Sequence, residues 1–427
     1  MKNIVIALRK NDEFPELIKN NLGEIELDLD LGHVTTIYTF NKLPMEKVYI
    51  LGLGDGSNIK KAFIQFAQTI KENVFVYVDE EMAYQASLGL YYGAYSYLDN
   101  NREYEFSSCS ELVQQGKEMA ECINYARYLS DMPRNILTPI RFKEEAEKVA
   151  NEYGLEIEVL SNEELEQMGA NSILAVNSGS KYPCFIIKLK YNGNGDAPYT
   201  AIVGKGLTYD SGGYSLKKTM AGMKYDMCGA ANVLATIKIC AQMKYKVNCM
   251  AVLCITENMI GPDAYAVDDV ITSLNGKTIE VTNTDAEGRM ALIDGITYCQ
   301  KDNVNRLIDM ATLTGACANA LGENYTGAFT NNEAFLNELK AVCLNTKEKI
   351  WQMPLDEDFH KQIHNSNVAD LTNAQVGKKA GASLAAAFIE EFIEEHVAWI
   401  HLDIAATSKK DNQATGVLIE SLSQLLK

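Results

Sequence analysis

Apolar positions fall along the chain in short blocks of two kinds. Val48–Leu53 and Val74–Val78 are compact runs of the sort that form buried strands. Ile59–Ile70 and Tyr84–Tyr95 instead repeat their apolar residues at helical spacing. Strands alternating with helices predict a small α/β unit. Ser107–Ser130 reads as a helix with one polar side, stopped at Asp131-Met132-Pro133 because proline cannot continue it. This places an N-terminal α/β domain over 1–117 and a larger second domain over 118–427. In the latter, Thr138-Pro139 caps a helix running to Tyr153, and Ser161 with Glu164 forms a capping box. Strands are expected at Glu156–Leu160, Cys184–Tyr191, Thr200–Val203, Val247–Cys254, Thr278–Thr282, Arg306–Met310 and Ala398–Leu402. Helices are expected at Gly229–Met243, Met290–Gln300, Gly381–His396 and Gly416–Leu426, and Asn275-Gly276 marks a tight turn. The fold class is α/β, with a mostly parallel central sheet flanked by helices in the larger domain.

Composition narrows the classes of function. The 427 residues are 47% hydrophobic and 22% charged, which is globular and long enough for about two domains. A net charge of −18 argues against nucleic acid as a partner and is compatible with cations and free amines. None of the ten cysteines forms a C-x-x-C pair, and Cys249 and Cys254 lie in an apolar run, as reduced buried thiols do. The apolar run near the N-terminus is too short for a signal peptide, and nothing approaches the roughly 18 residues of a membrane span. A cytoplasmic location without membrane contact is expected.

Three pieces between Ile202 and Gly315 carry candidate chemistry. In the first, a strand runs from Val203 into a glycine-rich loop holding Lys205, Asp210 and Lys217. A phosphate cradle is one reading, but the spacing fails the G-x-x-x-x-G-K-[ST] pattern; a plain structural loop is another. The second is Asp226, just before the helix near Gly229, where a capping role competes with a ligand role. The third is Asn283-Thr284-Asp285-Ala286-Glu287-Gly288-Arg289. If extended, it puts Asp285, Glu287 and Arg289 on one face, either as a surface ion pair or around a bound cation. Together the pieces supply Asp210, Asp226, Asp285, Glu287 and Lys205 at the carboxyl ends of strands, where α/β sheets form sites. Such hard donors suit Zn²⁺, Mn²⁺, Co²⁺ or Mg²⁺ and are enough to bridge a pair of ions. The five histidines make no H-E-x-x-H motif, and His401, in an apolar strand, reads as a core residue.

Gly204-Lys205-Gly206-Leu207-Thr208-Tyr209-Asp210-Ser211-Gly212-Gly213 and the 283–289 string closely resemble the leucyl (cytosol) aminopeptidases. Asp131–Pro139, Glu257-Asn258-Met259, Ala311–Ala316 and His401–Ala405 extend the resemblance from about residue 120 to the C-terminus. It implies a metallo-exopeptidase that releases N-terminal residues from peptides, with a broad preference for leucine-like side chains. It assigns Lys205, Asp210, Asp226 and Glu287 to a tighter metal and Asp210, Asp285 and Glu287 to a more exchangeable one. It makes Lys217 and Arg289 the catalytic residues outside the metal set, with Arg289 holding a bicarbonate. Met223, Thr312, Leu313, Gly315 and Ala405 would line the pocket for the first side chain. The resemblance also implies two divalent ions per subunit, Mn²⁺ or Zn²⁺ foremost, and a homohexamer.

The chain departs from the family pattern in three places. The segment between Lys217 and Asp226 is two residues short and lacks a proline after the lysine. Val267-Asp268-Asp269 and Gly377-Lys378-Lys379-Ala380 also differ from the usual strings. None removes a ligand. The alternatives left open are a dipeptidase specialised for Cys-Gly, a nucleotide binder, and a non-catalytic or DNA-binding protein on the same scaffold.

Overall fold

In the computed structural model, which describes residues 2–23, 25–98, 102–107 and 110–427, the chain divides into two units, Met1–Asn124 and Tyr125–Lys427. The first contains β1 (Asn3–Leu8), α1 (Glu16–Leu22), β2 (Val34–Tyr38), β3 (Lys47–Gly52), α2 (Ile59–Thr69), β4 (Val74–Tyr77), α3 (Glu80–Gly93) and β5 (Glu105–Phe106). Its sheet has the order β2-β3-β1-β4-β5, with β1 parallel to both β3 and β4. Val5, Ala7, Tyr49 and Leu51 pack with the apolar faces of α2 and α3, while Ile6, Leu8, Val48 and Ile50 pack with Ile18 of α1. Burial on both faces is why β3 reads as an unbroken apolar run. Asp79 caps α3 by accepting from Met82 N at 2.9 Å, so that helix starts before the expected Tyr84.

Helix α4 (Glu111–Asp131) spans the division. The second unit continues with α5 (Pro139–Tyr153), β6 (Glu156–Leu160), α6 (Asn162–Met168), α7 (Asn171–Asn177), β7 (Phe185–Asn192), β8 (Tyr199–Asp210) and α8 (Cys228–Gln242). Next come β9 (Asn248–Asn258), β10 (Val270–Thr272), β11 (Thr278–Glu280), α9 (Glu287–Cys299), β12 (Val304–Ala311) and α10 (Gly315–Leu321). The chain ends through β13 (Thr326–Thr330), α11 (Glu333–Thr346), β14 (Ile350–Gln352), α12 (Glu357–Ile363), β15 (Leu371–Thr372), α13 (Gly381–Glu390), β16 (Ala398–Asp403) and α14 (Ile419–Leu426). The large sheet has the order β14-β13-β16-β12-β8-β9-β7-β6. Its centre, β16-β12-β8-β9, is parallel, and antiparallel pairs flank it. Helix α8 lies against Gly204 and Gly206 on one face of β8, and α9 lies against Val203 on the other.

Some local readings are corrected. Strand β8 does not end at Val203 but continues to Asp210. Its glycines are not loop residues: a Cβ on Gly204 would lie 2.5 Å from Ala230 Cα, so glycine lets α8 press onto the sheet. The expected helix Gly381–His396 stops at Glu390, and α14 begins at Ile419 rather than Gly416. The described cysteines are free and buried, and no described helix is long and apolar enough to cross a membrane.

Candidate metal centre

Strand β8 delivers two side chains to one place because it carries an irregularity. Its register with β9 shifts by one residue between Leu207 and Tyr209, so Lys205 pairs with Cys254 and Asp210 with Asn258. Cys254 and Asn258 are four residues apart and share a face. Lys205 and Asp210 therefore share one too, which an unbroken period of two would forbid.

The third sequence piece is not extended. Asp285 N donates to Asn283 Oδ1 at 2.8 Å and Ala286 N to Asn283 O at 3.2 Å, forming a turn that leads into α9 with Glu287 as its first residue. The turn, rather than strand alternation, brings Asp285 and Glu287 together, at the helix end whose dipole favours carboxylates. Arg289 lies inside α9 and is buried, donating through Nη1 to Asn373 O at 2.7 Å. It is not the surface ion pair that an extended segment allowed. Nor does Asp226 cap α8: Met227 holds the cap position, without a side-chain bond. Asp226 follows a short 3-10 turn, Met223–Tyr225, and its Oδ1 accepts from Thr312 Oγ1 at 2.7 Å.

Carboxylate oxygens of Asp210, Asp285 and Glu287 lie within 4.8 Å of one another. Lys217 Nζ stands between Asp210 (2.6 Å) and Asp285 (2.5 Å). Lys205 Nζ stands between Asp226 (2.9 Å) and Glu287 (3.0 Å) and donates to Thr312 O at 2.9 Å. Glycine at 288 makes room for that amine, since a Cβ there would lie 2.6 Å from Lys205 Nζ. Four carboxylates thus face two ammonium groups in a buried space. Burial and the neighbouring Asp210 push the carboxyls of Glu287 and Asp285 up, and burial pushes Asp226 up. Burial alone would lower the two lysines, yet the carboxylates around them hold both above the ordinary range. The surplus negative charge calls for further cations. Asp226 Oδ2 and Glu287 Oε2 are buried and have no hydrogen-bond partner among the described residues. Oxygens left this way in a polar cluster fit divalent-ion ligands.

Supporting residues that the sequence did not single out fasten these loops. Asn258 Nδ2 donates to Asp210 Oδ1 (2.8 Å) and Thr284 O (3.0 Å), and Tyr265 Oη donates to Thr284 O at 2.8 Å. Thr284 Oγ1 donates to Gly212 O at 2.7 Å and accepts from Ser215 N at 2.7 Å, clipping the 211–217 loop to the 283–287 turn. In the sequence Asn258 and Thr284 stand only as members of longer strings with no role of their own, and Tyr265 carries no signal.

Of the expected pocket residues, Thr312, Leu313 and Gly315 follow β12 and Ala405 follows β16. Met223 opens the turn before Asp226. Leu313 N and Ala405 N both donate to Asp403 Oδ1, at 3.3 and 3.1 Å. His401 is fully buried, with Nδ1 2.6 Å from Asp309 Oδ1 on the neighbouring strand.

Comparison with known proteins shows the family to which the chain belongs. The model of the cytosol aminopeptidase family, catalytic domain, matches residues 124–423. A probable cytosol aminopeptidase of Exiguobacterium sibiricum is 43% identical over 321 residues, covering 73% of this chain and 67% of the relative. Among solved structures, the bottromycin maturation enzyme BotP superposes with a TM-score of 0.90 at 26% identity, over 100% of this chain and 98% of that one. BotP in complex with Mn gives the same TM-score and identity over 100% of both chains. The chain belongs to the cytosol aminopeptidase family and is a hydrolase of the leucyl aminopeptidase type.

Proposed function

We propose that the protein is a two-metal aminopeptidase that releases N-terminal residues, leucine-like ones preferred within a broad range, from peptides. The observation that carries this reading is the cluster of buried Asp210, Asp226 and Glu287 with half-buried Asp285, in which oxygens of Asp226 and Glu287 are left without partners among the described residues. Lys205, Asp210, Asp226 and Glu287 would hold one ion, and Asp210, Asp285 and Glu287 the other. Mn²⁺ is favoured because the structurally similar BotP forms a complex with Mn, and Zn²⁺, Co²⁺ and Mg²⁺ suit the same donors. When bound, such ions supply Lewis acidity and a water of lowered pKa.

The chain's own residues do the rest. To serve as a ligand, Lys205 must give up its proton, so metal uptake releases protons. Lys217, half-buried between Asp210 and Asp285, would donate to the oxyanion that develops on the scissile carbonyl. Arg289 Nε is buried without a partner among the described residues, which supports a role in holding a small anion such as bicarbonate. Met223, Thr312, Leu313, Gly315 and Ala405 would form the pocket for the first side chain. The machinery lies in the catalytic domain, 118–427. Cytoplasmic location and a homohexamer complete the proposal.

The test is hydrolysis of Leu-p-nitroanilide by chelated protein, with and without added Mn²⁺. Loss on chelation and recovery with metal are expected. No turnover with any divalent ion, on this substrate or a panel of dipeptides, would reject the reading.

A further inference from the structure

We propose that Asp403 is a positioning residue that sets the shape of the first side-chain pocket by tying its two walls to one carboxylate. The inference rests on the pocket reading above. Asp403 is the last residue of β16, paired with Ala311 of β12 and Gly327 of β13, and is 1% exposed. Oδ1 accepts from Leu313 N (3.3 Å), Thr314 N (3.4 Å) and Ala405 N (3.1 Å), and Oδ2 accepts from Thr314 Oγ1 at 2.6 Å. Two chain segments leave the carboxyl edge of the sheet here, one after β12 and one after β16. Both close onto the same side chain.

Thr314 completes the tie, because its Oγ1 also accepts from Cys317 N at 3.0 Å and so caps α10. Ile404 N donates to Ala311 O at 2.8 Å, keeping the two strand ends in step. The same turn contains Thr312, whose hydroxyl and carbonyl meet Asp226 and Lys205. Among the described residues Asp403 makes no hydrogen bond to Asp226 or Lys205 itself, and the turn links it to both. An asparagine at 403 keeps the shape but has one acceptor oxygen and one donor nitrogen. It cannot accept on both sides at once.

The experiment compares kcat and KM for Leu- and Ala-p-nitroanilide in wild type, Asp403→Asn and Thr314→Val, all Mn²⁺-loaded, with Mn content measured in each. Thr314→Val cuts the tie from the other side and carries the comparison should Asp403→Asn fail to fold. The expected result is a roughly tenfold fall in the Leu-to-Ala ratio of kcat/KM, the order that small pocket changes produce. The fall should come from KM for the leucine substrate, with Mn content unchanged. An unchanged ratio in a folded variant, or an equal loss of kcat on both substrates, would overturn the proposal. If wild type hydrolyses neither substrate, the aminopeptidase reading itself fails, and the pocket with it.

Discussion

Replacing Thr284 with valine removes one hydroxyl and almost nothing else, since the two side chains have nearly the same shape. That hydroxyl donates to Gly212 O and accepts from Ser215 N, both at 2.7 Å, and Thr284 itself is 0% exposed. The buried Gly212 carbonyl would lose a partner it cannot replace with water, and the half-buried Ser215 N–H would lose part of its own. The expected cost is about 2–4 kcal/mol, from the penalty for unmade buried hydrogen bonds. At about 2 °C per kcal/mol for a unit of this size, the melting temperature should fall by roughly 4–8 °C. The loop released is the one that carries Lys217 past Asp210 and Asp285. Loosening it should lower kcat/KM about 10- to 100-fold, the scale of a misplaced reacting group. Thr284→Ser keeps the hydroxyl and should stay within about threefold of wild type in kcat/KM, because the donor and acceptor survive. Calorimetry and Leu-p-nitroanilide kinetics on the two variants decide the matter. Wild-type melting and turnover in Thr284→Val would refute the claim that this clip holds the site together.

Three further outcomes are expected. Lys217→Ala should lower kcat about 10²–10³-fold, as removal of an oxyanion donor does, without weakening Mn²⁺ uptake, because it deletes a cation that shares Asp210 and Asp285; unchanged kcat contradicts its role. Gly288→Ala places a Cβ 2.6 Å from the pinned Lys205 amine, so bound Mn per chain, measured by elemental analysis, should fall, and full occupancy would show that the amine can move aside. Asp294, buried in α9, accepts from Ser172 N (2.8 Å), Ile173 N (3.0 Å) and Leu274 N (2.9 Å), and burial raises its carboxyl to about 6. The folded group holds its proton more tightly than the unfolded one, so its stabilisation is present below about pH 4 and lost as pH rises through about 6. The stability difference between wild type and Asp294→Asn should therefore shrink by about 2–3 kcal/mol from pH 4 to pH 7 in denaturant titrations; a flat difference contradicts this.

Residues with distinctive chemistry were legible from the chain alone, while the backbone that delivers them was not. Lys205, Asp210, Asp226, Asp285 and Glu287 stand out because carboxylates and a lysine are rare inside apolar and glycine-rich strings. The path of β8 was hidden because Gly204 and Gly206 look like loop residues. They serve a close helix approach that exists only once α8 has folded onto the sheet. The 283–289 string brings its two carboxylates together, but through a turn rather than the expected strand, since Asp-x-Glu fits a strand and a turn-to-helix junction equally well. Arg289 reads as a surface charge until α9 buries it. Asn258, Thr284 and Asp403 went unassigned because their importance lies in hydrogen bonds to partners far away in sequence. In the N-terminal unit, β1 and β2 were missed: they gain their identity from pairing with β3 rather than from a pattern of their own.

The proposed function turns on one carboxylate cluster that would hold the ions needed for aminopeptidase activity, with Glu287 as a ligand. The decisive experiment measures bound Mn per chain alongside Leu-p-nitroanilide turnover, in wild type and Glu287→Ala, after chelation and reloading. Two ions and turnover are expected in wild type, and lost turnover with markedly fewer ions in the variant. Full metal content and wild-type turnover in Glu287→Ala would contradict the assignment.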